Sequence, residues 1–464
     1  MHSPLGNNLS RALLDHYRCP DSCVDIRLLQ EPSTDAGFFR FGADAICFGQ
    51  SSSGYLAASP NGALYDTLRD VRADAEACLL PFNPTSIVDN LRLERYTNDF
   101  WTKTRTGNLK RLAWDAYYLF RPALPVGVRK FLQRAWLRGW DRIAFPEWPV
   151  DRTVERILRR VLGLCMKARG LDRLPFIWFW PEDYSSCVVM THDVETESGL
   201  NFCPTLMDIN DSFGIKASFH VIPEQRYRVS EGFLACIRDR GYEANVQDLN
   251  HDGQLYRDRD EFLRRAEKIN RYAAKYGALG FRSGALYRRL DWYDALNFSY
   301  DMSVPNVAHL DPQRGGCCTV MPYFVLGILE LPLTTTQDYT LFHLLGDYST
   351  ALWKRQIDLI REEHGLITFI IHPDYIRRQQ PLRVYMALME HLSLLRSNDR
   401  IWMALPRDVD RWWRDRSRMK LVNRHGEWTI DGAGKERAKV AHAILSGDEI
   451  VYDLSPDAHK SGPP

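Results

Sequence analysis

The sequence has no run of about 18 apolar residues, so no transmembrane helix is expected. It has no excess of one charge either. Sixty Lys and Arg stand against 59 Asp and Glu, for a net charge of +1, and the two signs are interspersed. That balance argues against nucleic acid as the main partner. Met1-His2-Ser3-Pro4-Leu5-Gly6-Asn7 does not join a basic stretch to an apolar core. No secretory signal is expected there, and a cytoplasmic location follows. The ten cysteines lack zinc spacing: Cys19-x3-Cys23 and Cys317-Cys318 are the only close pairs, and neither has a second pair to match. Reduced thiols are the expected state. Neither repeats nor low-complexity segments occur.

The composition is that of a globular protein, with 45% hydrophobic residues in 464, which is too long for one ordinary core. Short strands are expected around Phe38–Phe41 and Ala45–Gly49. Residues 117–142 mix aromatics and bases, with Arg129, Lys130, Arg134, Arg138 and Arg142 near Phe131, Trp136 and Trp140. A basic helix over 128–142 would either pack on a neighbour or touch an anionic membrane surface. Val154, Ile157, Leu158, Val161 and Leu162 have the spacing of a one-faced helix. From about 186 to 405, short apolar runs alternate with helical stretches, which predicts a mostly parallel sheet, open or closed into a barrel.

Four of the predicted strands end in polar residues suited to hydrolytic chemistry. They are Thr191-His192-Asp193-Val194-Glu195, then Gln247-Asp248-Leu249-Asn250-His251-Asp252-Gly253, then Gly280-Phe281-Arg282-Ser283-Gly284, and Ile370-Ile371-His372-Pro373-Asp374. Carboxyl ends of strands are where α/β folds place their sites. On an extended chain Asp193 and Glu195, two apart, point the same way.

This set resembles the polysaccharide deacetylases, carbohydrate esterases with a NodB-type domain, over about half of the chain. The resemblance implies an α/β fold built on a distorted (β/α) barrel. The expected domains are an N-terminal α+β region over 1–180, the barrel over 181–405 and a small C-terminal appendage over 406–464. It implies a divalent metal, usually zinc, and removal of N-acetyl groups from an amino-sugar glycan or its precursor. By carry-over Asp193 is the general base, Glu195 the metal carboxylate, His251 a metal imidazole, Arg282 the residue that orients the base, and His372 the general acid. Asp301 corresponds to a further acidic position. The family's first metal histidine falls on Gln247, and its usual proline after the arginine falls on Gly284. An amide oxygen is a poorer zinc ligand than imidazole. Three outcomes are open: Asp248, Asp252, His192 or His220 completes the shell; a harder, oxygen-preferring ion binds; or the barrel only binds glycan. Trp292, Tyr287 and Tyr323 are expected either to stack on sugar rings or to sit in the core. An amidohydrolase of a small non-sugar amide would use the same chemistry.

Overall fold

The computed structural model describes residues 9–74, 77–97, 137 and 139–454. Most of the basic stretch 128–142 therefore lies outside the described residues. No helix among the described residues is long and apolar enough to cross a membrane. The chain divides into two compact units, one of Met1–Leu91, Thr153–Tyr184 and Arg411–Pro464, the other of Arg92–Arg152 and Ser185–Asp410.

The first unit is assembled from three separated stretches of chain. Strand Val440–Ser446 pairs antiparallel with both Arg173–Ile177 and Glu449–Asp453. The end of the chain is thus woven into the same unit as the early segments, where a separate appendage was expected. Helix Thr153–Ala168 buries Val154, Ile157, Leu158, Val161 and Leu162, the face marked by their spacing. A hairpin pairs Lys420–Arg424 with Glu427–Asp431 and turns at His425-Gly426, both at positive φ.

The second unit is built on a nine-stranded sheet. Its strands are β1 Ser186–Val194, β2 Ala217–Val221, β3 Glu243–Gln247, β4 Gly280–Arg282, β5 Tyr300–Asp301, β6 Tyr323–Val325, β7 Ile328–Glu330, β8 Leu366–Ile371 and β9 Ile401–Ala404. Their order is β6-β7-β5-β4-β3-β2-β1-β8, and β9 also pairs with β1. Only the β6–β7 hairpin is antiparallel. Helices α1 Glu197–Ser212, α2 Glu231–Asp239, α3 Arg259–Tyr276, α4 Ala351–Arg361 and α5 Gln379–Asp399 alternate with the strands. Caps fix their ends. In α3 the Asp258 side chain accepts from Glu261 N, and Gly277 takes the left-handed conformation that closes the helix.

The sheet returns on itself through an irregular segment. Leu333 exchanges backbone hydrogen bonds with Val304 and Asn306 beyond β5. Thr334 N then donates to Thr368 Oγ1 at 2.8 Å, and Thr335 Oγ1 donates to the Thr368 carbonyl on β8 at 2.6 Å. Pro332 cannot donate to a ladder, so threonine hydroxyls take that place. The result is a curled, mostly parallel sheet, as the strand–helix alternation predicts, and it is consistent with the distorted (β/α) barrel that the resemblance implies. Strand β1 shares one edge between β9 at its start and β2 at its end. All nine of its residues are buried, as a central parallel strand requires.

Asp301 and Glu330 are in register on neighbouring parallel strands, and both are buried. Asp301 accepts from Tyr293 OH, Ser303 N and Ser303 Oγ. Burial, reinforced by the adjoining Asp301 carboxyl, pushes Glu330 well above the usual carboxyl range. The folded state therefore keeps a proton that the unfolded chain loses above about pH 4.3. Stability from this pair is present below that pH and is lost as pH rises through the folded pKa. Glu330→Gln keeps the acceptor for Val304 N. It is expected to gain on the native protein by on the order of 1–2 kcal/mol between pH 5 and 8. Thermal unfolding across pH checks this; parallel pH curves for the two proteins would refute it.

Candidate functional site

The site is built at the carboxyl ends of β1, β3, β4 and β8. Alternation along β1 sends Thr191 and Asp193 to one side, where both meet Arg282, and sends His192 to the other. His192 lies in the core. Its ring contacts the Ile371 carbonyl and the Asn210 amide, and burial pushes it down to about 3.

Asp193 is gripped by three donors. Arg282 Nη1 reaches Oδ1 at 2.5 Å, His220 Nδ1 reaches Oδ1 at 3.1 Å, and Gln247 Nε2 reaches Oδ2 at 3.3 Å. Burial would raise the carboxyl, but Arg282 and His220 outweigh it and hold Asp193 far below its usual range. Burial, followed by the charge of Arg282, pushes His220 down to about 4, so its ring is neutral. Because Asp193 only accepts, Nδ1 carries the His220 proton and Nε2 accepts from Ser218 Oγ at 3.3 Å. Asn245 Nδ2 donates in turn to Ser218 Oγ at 2.9 Å. A polar network thus fills the barrel interior beneath Asp193.

Glu195 forms a second centre. Its Oε1 lies 3.0 Å from His251 Nε2 and 3.6 Å from His372 Nε2. The opposite ring nitrogen of His372 meets Asp338 Oδ1 at 2.6 Å, and His372 N donates to Asp338 Oδ2 at 2.8 Å. This double contact fixes the tautomer and aims Nε2 at Glu195. Burial disfavours charge on His372, but Asp338 and Glu195 overcome it and hold the ring well above its usual range. Burial likewise opposes Glu195, and the two imidazoles hold it well below the usual range. The Glu195 side chain is 22% exposed against 4% for Asp193, so it is the carboxylate that solvent reaches.

His251 stands on a loop with two non-glycine residues in the left-handed region, Asp248 at φ 53° and His251 at φ 56°. Such outliers persist where surroundings overdetermine them, often at functional positions. Here Arg226 donates to the carbonyls of Asn250 and His251, and Arg265 grips Asn250 and Asp252. Gly284 explains the missing proline. A Cβ there would run into the Asp248 carboxylate and the His251 ring.

The remaining sequence expectations divide. Asp301, matched to a further acidic position, has Tyr293, Ser303 and Glu330 as its partners. The carboxylate on His372 is Asp338, from the segment after β7. Tyr287 and Tyr323 are 2% and 4% exposed, too buried to stack on a sugar, and Tyr323 OH bonds the Arg92 carbonyl. Trp292 is half-buried against Tyr256 and Phe262 and carries the Arg259 and Arg289 guanidiniums on its ring. Cys317 and Cys318 are buried, and burial pushes both thiols up, away from reactivity.

The residues present do not fit a zinc centre. Among the described residues no group of three or more His, Cys, Asp or Glu side chains is arranged to hold a metal ion. Gln247 turns its amide nitrogen to Asp193. Of the four substitutes for the missing imidazole, His192 is in the core, His220 is spent on Asp193, and Asp252 is paired with Arg265 at 2.7 Å. Asp248 faces Gly284, and its Oδ2 has no hydrogen-bond partner.

No family model and no curated protein matches this chain. Among solved structures it is similar to a putative polysaccharide deacetylase from Mycobacterium smegmatis, with TM-score 0.41 and 17% identity over 51% of this chain and 93% of that one. A probable polysaccharide deacetylase from Pseudomonas aeruginosa PAO1 gives TM-score 0.39 and 16% identity over 50% and 92%. The Puue allantoinase gives 0.40 and 13% over 50% and 92%. The family that the strand-end motifs resemble is thus found among the structural neighbours. At these scores and identities no residue role is carried across, and the roles rest on the geometry above.

Proposed function

We propose that the chain hydrolyses the C–N bond of an N-acetylated amino sugar, with Glu195 and His372 moving the protons. One observation carries this reading. A partly exposed carboxylate faces an imidazole whose other nitrogen is locked on a buried aspartate, the two lying 3.6 Å apart at neighbouring strand ends. The N-acetyl sugar is supported by the strand-end motifs.

Glu195 takes a proton from water as the water oxygen bonds to the acyl carbon. His372, charged at neutral pH, gives its Nε2 proton to the nitrogen as the C–N bond breaks. One water is consumed, and acetate and the amine leave, the amine carrying the proton that the acetic acid gives up. The proton on Glu195 then returns to His372 across the gap between them, which resets the pair. Asp338 keeps the ring oriented throughout. Asp193 is 4% exposed and held by three donors, so it anchors Arg282 and the β3–β4 edge, and the water's proton goes to Glu195.

A second reading, a glycan-binding barrel without catalysis, is favoured by Gln247 standing in place of an imidazole. Incubation with acetylated chito-oligosaccharides in ¹⁸O-water separates the two. Hydrolysis puts one label into each acetate released and none into the sugar. Calorimetric sugar binding with no acetate formed would establish the binder instead.

A further inference from the structure

We infer that Asp374 is a positioning residue that latches the end of β1 to the end of β8 and so sets the spacing between Glu195 and His372. The inference rests on the proposed roles of those two residues. The strand register brings the two ends together, since Ile371 pairs with His192. Beyond that pair the β1–β8 ladder stops, and β1 is held only on its β2 side, through Val194 and Val221, so no ladder ties Glu195 to His372. Asp374 supplies the missing tie. Its Oδ2 accepts from Glu195 N at 3.4 Å, and its Oδ1 accepts from the Thr196 hydroxyl and from Ser198 Oγ at 3.5 Å. Thr196 in turn caps α1 by accepting from Gly199 N at 3.2 Å. One carboxylate therefore fixes the Glu195 backbone and the start of α1 together, two residues after His372.

Gly199 gives an independent sign of the same latch. It lies in the first turn of α1, and a Cβ there would occupy the position of the Asp374 carboxylate. The close approach of the two chain segments needs glycine at this position and a short side chain at 374. Pro373 starts the short helix Pro373–Ile376, which gives Asp374 a fixed direction. Asp374 touches neither proton-moving group through its own side chain, so it acts through backbone placement.

Three variants test this: Asp374→Ala removes the latch, Asp374→Asn keeps the acceptor for Glu195 N through its amide oxygen and turns its NH2 to the Thr196 hydroxyl, which then accepts, and Gly199→Ala pushes the carboxylate aside without removing it. Two readouts are taken on the full chain. The first is acetate release from acetylated chito-oligosaccharides. The expected result is a fall in kcat of at least about tenfold for Asp374→Ala and Gly199→Ala, with KM within about twofold and recovery in Asp374→Asn. The second needs no activity: amide hydrogen exchange over residues 194–199 is expected to quicken in Asp374→Ala and Gly199→Ala and to be unchanged over β3 and β4. If the native protein releases no acetate while exchange quickens as stated, the hydrolase reading fails and the latch stands. Unchanged exchange over 194–199, or unchanged kcat in both variants of an active enzyme, overturns the latch.

Discussion

Replacing Arg282 by Met is expected to lower the unfolding free energy by about 3–5 kcal/mol, the cost of leaving a buried charge without its partner. Arg282 has no exposed surface, donates to Asp193 and Thr191 through Nη1, and donates to the Met302 carbonyl through Nε. Without it, Asp193 keeps only a neutral imidazole and an amide. The pH dependence follows the same logic. Asp193 is held below its usual range, so its contribution is present above about pH 3.9 and is lost as acid carries it through its folded pKa. The Met variant should lose that acid-side slope. In the double variant Asp193→Leu with Arg282→Met, much of the loss should return, because replacing both members of a buried pair leaves no orphan charge. Urea unfolding of the four proteins measures the coupling. A single-variant loss below about 1 kcal/mol would show that Asp193 is not charged in the fold.

Glu195→Gln is expected to stay folded and lose about 10²–10⁴-fold in kcat, the usual worth of a positioned proton acceptor. Glutamine keeps the shape and still accepts from His251, but it cannot take a proton from water. Asp193→Asn separates the two carboxylates. It removes the charge opposite Arg282 and should act first on stability, with a smaller change in kcat for the molecules that remain folded. Acetate release, normalised to the folded fraction from circular dichroism, gives both numbers. The reverse ranking, with Asp193→Asn inactive but stable and Glu195→Gln active, would assign the proton transfer to Asp193.

The strand–helix alternation, the four strand ends and most of their polar residues were readable because each is a local pattern: an apolar run that stops at a polar group. Arg282 and His372 could be picked out for that reason. His220 and Asp338 carried weaker signals. His220 lies inside a strand with Ser218 two residues before it, an i, i+2 polar pair facing the barrel interior in an otherwise apolar run. Asp338 ends the Thr334-Thr335-Thr336-Gln337 segment, which has no regular strand, so nothing marked it as a strand end. Asp301 had the right local pattern, yet its in-register neighbour is Glu330, a contact set by β5–β7 pairing that no local pattern records. The same holds for the C-terminal strand Val440–Ser446, whose partner Arg173–Ile177 lies far away in sequence. Tyr287 and Tyr323 show the limit of residue type, since the same aromatic side chain serves a core or a sugar face and only burial decides.

The most direct test of the Glu195–His372 pair is single-turnover acetate release from an acetylated chito-oligosaccharide, comparing the native protein with His372→Ala at equal folded concentration. The pair's proposed chemistry requires release by the native protein and a rate at least about 10²-fold lower in the variant. Equal rates in the two proteins would contradict it.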